Sequence, residues 1–299
     1  MKYNAKPIGH HHFPVYRPGG EGGEPDAPVI LSIDLVSGTK LQIITSGDSV
    51  IVSNDSSFTS PTTYNSGVVT IDFDFTLRYW VKAVKNGVES SVKDFYIKPP
   101  EGYSVVEYVS ILGSQVGKYI NTNTPIELDS VIEVSLSYNN YAFAAGDHHI
   151  LGTRTESGAR LFVEVYGTSG DLYFRNLGNE LSKGISSFFR DNRTGVLKIT
   201  DNSLFFNSVP KLTQERVDET SDSLLIYATR LADGSVSTNY GYGLVNWASI
   251  FKGDDKHYFV FIQKEDEEPV LYDYYSGRTS PFEGDTGTVN VGPKIVYPE

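Results

Sequence analysis

Short apolar runs rich in Val, Ile and Tyr, separated by Gly, Asn, Asp and Ser, recur along the chain and predict strands joined by turns. In the first third, residues 30–33, 41–43, 49–52 and 68–71 are β-branched runs, and 77–84 alternates as a half-buried strand does. Asn86-Gly87 follows, a hairpin signal because both residues tolerate the left-handed backbone of a tight turn. Strands at this spacing over residues 28–99 predict an immunoglobulin-like sandwich with Trp80 as its core aromatic.

Pro99-Pro100 ends that series, because proline cannot continue a ladder. From 103 to 299 the pattern is strands again, at 131–136, 160–166, 195–200, 203–206, 223–228 and 257–262. Asp201-Asn202 joins two of these as a hairpin, and no stretch keeps helical period beyond about two turns. A segment this long is too large for one immunoglobulin-like unit and predicts a two-sheet jelly roll. Residues 1–27 neither alternate nor repeat, and their RPGGEGGEP run (17–25) reads as a linker closing an extended N-terminal arm. The expected fold class is all-β, with the arm followed by the smaller sandwich and then the larger jelly roll.

Composition sharpens this picture. A chain of 299 residues with 39% hydrophobic content can bury the cores of two folded units. The absence of Cys excludes disulfides, thiolate metal sites and a cysteine nucleophile. Net charge is −12, which argues against nucleic acid as a partner. That charge is unevenly spread: residues 1–20 carry Lys2, Lys6 and Arg17 with no acid, whereas 100–299 hold 16 basic and 27 acidic side chains. The first twenty residues lack the apolar stretch of a signal peptide. Apolar runs end at about six residues, as in Tyr258 to Ile262, far below the ~20 that span a bilayer, so no membrane insertion is expected.

Two segments carry resemblances. SPTTYNSGVVTI (60–71) followed by YWVKAVKNGVESSV (79–92) resembles the fibronectin-III-like modules at the C-terminus of chitobiases and in bacterial and phage surface proteins. Such modules have no catalytic residues, so the resemblance implies a spacer. The second begins with Val106-Glu107-Tyr108-Val109-Ser110, Gly113-Ser114-Gln115 and Lys118-Tyr119-Ile120-Asn121-Thr122, continues through 224–228 and 248–251, and closes with VLYDYYSG (270–277) and GDTGT (284–288). In this order these resemble the concanavalin/laminin-G-like domains of bacteriophage virion proteins, apart from the inserted Val116-Gly117.

That resemblance implies a structural protein of the virion, assembled in the host cytoplasm: a head (capsid) fibre or decoration subunit, a homotrimer without cofactor or catalytic residues. Residues 1–20 would dock on a capsid or other virion protein. Tyr3, Phe13, Val15 and Tyr16 would be the apolar anchors, with Lys2, Lys6 and Arg17 facing an acidic surface. The jelly roll would project towards solvent or a host glycan. A tail-fibre adhesin and a free glycan-binding or glycan-hydrolysing surface protein are the alternatives.

Four clusters raise other chemistry. Glu127, Asp129 and Glu133 share a face if their strand is unbroken, as paired glycosidase carboxylates do, but Asp129-Ser130 also reads as a turn and a solvated outer face is expected. Asp147-His148-His149 and Asp254-Asp255 are possible rim ligands for a cation, with solvent exposure the plainer expectation. His10 and His12 of His10-His11-His12 are candidates for an axial metal site in a trimer; a docking stretch without metal is the expectation. Lys264–Glu268 is expected to be a solvated turn.

Overall fold

The computed structural model describes residues 27–112, 117–137, 147–155, 159–166, 170–177, 183–191, 194–220, 222–230, 235–237, 244–284 and 287–298. The arm expected at 1–27 lies almost wholly outside these residues. The described chain is all-β apart from one helical turn, Phe188–Asp191.

Eight strands come first: β1 Ile30–Ser37, β2 Lys40–Thr45, β3 Ser49–Ser53, β4 Thr62–Tyr64, β5 Val68–Asp72, β6 Tyr79–Lys85, β7 Val88–Glu89 and β8 Lys93–Phe95. They form a sheet β1-β2-β5 facing a sheet β4-β3-β6-β7, with β8 also on β6. Leu35, Leu41, Ile43 and Ile71 from the first sheet meet Val50, Val81, Ala83 and Phe95 from the second, the two-layer core of an immunoglobulin-like sandwich. Asn86 and Gly87 turn β6 into β7 at φ 50° and 80°, as their sequence anticipated.

Trp80 departs from expectation. Successive strand residues point to opposite faces, and Tyr79, Val81 and Ala83 take the core face of β6. Trp80 is buried on the other face, with the Arg78 guanidinium 4.9 Å from its ring and Arg78 in turn 4.7 Å from Tyr96.

The larger unit opens with β9 Ser104–Val105, β10 Val109–Leu112, β11 Tyr119–Pro125, β12 Val131–Ser137, β13 Asp147–Arg154, β14 Arg160–Tyr166, β15 Asp171–Asn176 and β16 Lys183–Ile185. It continues with β17 Thr194–Ile199, β18 Ser203–Phe206, β19 Val209–Thr213, β20 Ser223–Ile226, β21 Thr229–Arg230 and β22 Val236–Ser237. It ends with β23 Leu244–Lys252, β24 Asp255–Gln263, β25 Val270–Asp273, β26 Thr279–Ser280, β27 Phe282–Glu283 and β28 Thr288–Val291.

One sheet runs β19-β18-β17-β12-β23-β24-β25-β26, with β10, β28 and β9 alongside; the other runs β16-β15-β14-β13-β20-β11-β27. Every pairing is antiparallel, and Ile132, Val134, Leu197, Phe259 and Phe261 face Leu151, Val163, Phe174 and Leu224 across the jelly-roll core.

The two units share a second core. Along β24, Phe259 and Phe261 enter the jelly roll, whereas Tyr258, Val260 and Ile262 join the core of the first sandwich, as do Trp247, Phe251 and Tyr272. The middle of this sheet is therefore buried on both faces, which explains why 258–262 reads as an unbroken apolar run. Burying each such side chain stabilises by about 1.5–3 kcal/mol, so the seam is a firm junction. The module expected as a spacer is seated on the jelly roll. The C-terminal tail adds a clasp: the Tyr297 hydroxyl donates to the Phe75 carbonyl at 2.8 Å, and Arg78 Nη1 donates to the Pro298 carbonyl at 2.9 Å.

Candidate functional site

Strand register places the most polar part of the molecule at this seam. Lys198 in β17 pairs with Glu133 in β12, Glu133 with Ser249 in β23, and Ser249 with Tyr258 in β24. The four side chains form a row across the sheet on the face that the first sandwich covers. Glu133 is 4% exposed; its Oε2 accepts the Gly38 N–H at 2.5 Å and its Oε1 lies 3.4 Å from Lys198 Nζ. Gly38, in the turn between β1 and β2, lies against the Trp247 indole with no room for a β-carbon. Deeper in the row, the hydroxyls of Ser249 and Tyr258 are buried without a hydrogen-bond partner.

A second polar bridge crosses the seam at Asp34. Its Oδ2 accepts from Lys256 Nζ and its Oδ1 from the Tyr275 hydroxyl, each at 2.5 Å, and Lys256 also donates to the Leu35 carbonyl at 2.9 Å. Burial, reinforced by the neighbouring Asp34, pushes the Tyr275 phenol far above its ordinary value. Tyr274 is pushed up to about 12, chiefly by burial. Between the two bridges the units enclose a cleft of about 520 Å3. Val36, Ser37 and Gln42 line it from the first sandwich, and Asp129, Val131, Glu133, Lys198, Phe251, Asp254 and Lys256 from the jelly roll.

The expected carboxylate trio is split. Ser130 N–H donates to the Glu127 carbonyl, closing a turn before β12 begins, and both Glu127 and Asp129 pair with Lys252. Arg216 pins this turn by donating from Nη1 to the carbonyls of Glu127, Leu128 and Ser130 at 2.8–3.2 Å, and from Nε to Asn176 Oδ1 at 3.1 Å. Burial draws its guanidinium down to about 10. Glu133 is not on a solvated face, as expected from sequence, but beneath the first sandwich.

No protein-family model matches this chain, and a search of curated proteins finds no match.

Other sequence candidates separate. Lys2, Tyr3, Lys6, His10, His12, Phe13, Val15, Tyr16 and Arg17 lie outside the described residues. So do the side chains of Asp147 and His148. His149 is not solvent-exposed: it is 5% exposed in β13, with Nδ1 2.8 Å from Glu164 Oε1. Among the described residues no group of three His, Asp or Glu is placed to hold a metal ion. Lys264–Glu268 does form a turn, with the Glu267 N–H on the Lys264 carbonyl at 2.9 Å.

Near Asp34, His257 Nδ1 lies 2.7 Å from Asp273 Oδ2, and the Ser276 hydroxyl donates to that same oxygen. A nucleophilic triad sets imidazole between serine and carboxylate; here the carboxylate stands between the other two, an arrangement that fastens the 274–278 loop. Sequence reasoning missed Gly38, Asp34, Trp247 and Tyr275. The signal available for the seam was the lost alternation in 258–262.

Proposed function

We propose that this chain is a structural subunit of a bacteriophage virion, a head-fibre or decoration protein held by residues 1–20 and carrying its two sandwiches outward as one body. The observation that carries the reading is the contrast between a Gly/Pro-rich cationic leader and an acidic double sandwich joined through a shared core. A leader of that composition buries too little apolar surface to fold alone and gains order by lying on a partner. A capsid or other virion protein is that partner, with Tyr3, Phe13, Val15 and Tyr16 seated in its pockets and Lys2, Lys6 and Arg17 on acidic ground. Three copies side by side form the fibre, and the firm seam suits a projection that must keep its shape. The phage resemblance of the 106–122 and 270–288 motifs supports the same reading.

Transplanting the leader tests the proposal. Residues 1–27 fused to an unrelated fluorescent protein are expected to co-purify with particles of the encoding phage. Fluorescence that stays wholly unbound overturns the docking role.

A further inference from the structure

We infer that an exposed apolar row on the outer face of the first sandwich is the surface through which copies of this chain pack against one another. This rests on the reading of three copies side by side and names the face they use. Register assembles the row: Ser32 in β1 pairs with Ile44 in β2, and Ile44 with Val68 in β5. Ile44 and Val68 alternate with the buried Ile43 and Val69, so they point away from the core. A bulge between Ile30 and Ser32 puts Leu31 outward beside them. Val29, whose carbonyl accepts the Ser46 N–H at 2.9 Å, completes the row. Val29, Leu31 and Val68 are 54%, 51% and 54% exposed, a contiguous group where single exposed aliphatics are ordinary.

Charge decides what covers it. Ser32, Ser46 and Ser66 border the row, and on the rest of this face Lys40 pairs with Asp72 while Asp34 is bonded to Lys256 and Tyr275. Residues 28–99 hold 6 basic and 7 acidic side chains, against 16 and 27 in 100–299. Two jelly rolls therefore repel each other, and a cationic partner is drawn to them rather than to a neutral row. A second copy presenting the same uncharged row meets neither penalty. The Ser66 hydroxyl accepts the Val68 N–H at 3.2 Å and donates to the Val68 carbonyl at 2.8 Å. The backbone there is thus satisfied within the chain, and the contact is made by side chains rather than by extending the sheet.

Position gives the contact its use. β1 runs from the row to the Gly38 turn at the seam, so the row lies at the end of the first sandwich away from the jelly roll, where the arm joins. Three copies meeting there bring three arms out side by side while the acidic jelly rolls stand apart. Three linked anchors hold a particle far more tightly than one. Four side chains cover less than the about 800 Å2 per partner of a stable interface, so association in solution depends on concentration.

The chain has no Cys, so Val68→Cys carries a single thiol, and Val217→Cys, at an equally exposed valine of the jelly roll, is its control. Full-length protein at micromolar to millimolar concentration is sedimented and, in parallel, treated with a short three-armed maleimide. Wild type is expected to pass from monomer to trimer as concentration rises. Val68→Cys is expected to be joined covalently between chains and Val217→Cys to stay single. Val68→Lys and Leu31→Lys are each expected to weaken association about tenfold or more, with the unfolding midpoint in place. Trimers undiminished by Val68→Lys, or cross-linking as strong at Val217→Cys, overturn this inference and leave the reading of side-by-side copies standing. Sedimentation as a monomer throughout overturns both. None of these results bears on attachment through residues 1–20.

Discussion

The Gly38 amide, in the first sandwich, donates to Oε2 of Glu133, in the jelly roll, at 2.5 Å. A backbone donor and a buried carboxylate thus satisfy each other across a boundary that either unit alone would leave open to water. Glu133→Ala leaves that N–H buried without an acceptor, which costs about 1–3 kcal/mol. Gly38→Ala forces a methyl against Trp247 and is expected to loosen the same seam. Urea unfolding followed by tryptophan fluorescence is expected to show a lower midpoint for both variants.

Tyr258 provides the opposite test. Its hydroxyl is fully buried at the seam without a partner, so it contributes a desolvation cost and no bond. Tyr258→Phe is expected to leave stability unchanged or raise it by up to about 1 kcal/mol. A marked loss in calorimetry would reveal a bond to that hydroxyl.

Strand positions were legible because period-two alternation and turn chemistry act locally: 131–136 and Asn86-Gly87 folded as read. What lies over a strand is a tertiary matter. Glu133 alternates like any outward residue, and nothing near it in sequence tells that Gly38, ninety-five positions away, will cover it. Trp80 shows the same limit, since size marks it for burial but only the phase of β6 decides which face it takes. The unbroken 258–262 run was the one local trace of double-sided burial, and it was legible as a length too short for a membrane before its packing was known.

Arg216 holds the turn that separates Glu127 and Asp129 from Glu133. Replacing it with Ala takes a charged donor from the buried Ser130 carbonyl and from the part-buried carbonyls of Glu127, Leu128 and Thr200, and a hydrogen bond to a charged group is worth about 1.5–3 kcal/mol. Arg216→Ala is expected to lower the unfolding midpoint more than Arg216→Lys, which keeps the charge but not the fork.

Alkaline titration reads the seam directly. Tyr274 is raised to about 12 from 10.0, first by burial and then by Tyr272, Asp34 and Tyr96; Tyr275, Tyr297 and Tyr258 are raised as well, each first by burial. A folded-state value above the unfolded one means stability intact below pH 10 and lost as pH climbs towards the folded value. Phenolate absorbance is expected to show these four ionising late and together with undocking.

Acid acts at Asp273. Burial raises its carboxyl, but bonds from His257 and Ser276 outweigh this and hold it below the ordinary 3.8. Its contribution is therefore present above that value and fades as pH falls through the lower folded one. Asp273→Asn is expected to destabilise at neutral pH, with the gap to wild type closing in strong acid, as followed by circular dichroism.

Attachment is tested most directly by counting. Removing residues 1–20 and measuring subunit content in purified particles by quantitative mass spectrometry is expected to give particles without the protein, while the freed β-body keeps its wild-type unfolding midpoint. Particles carrying the shortened chain at wild-type content would contradict the account.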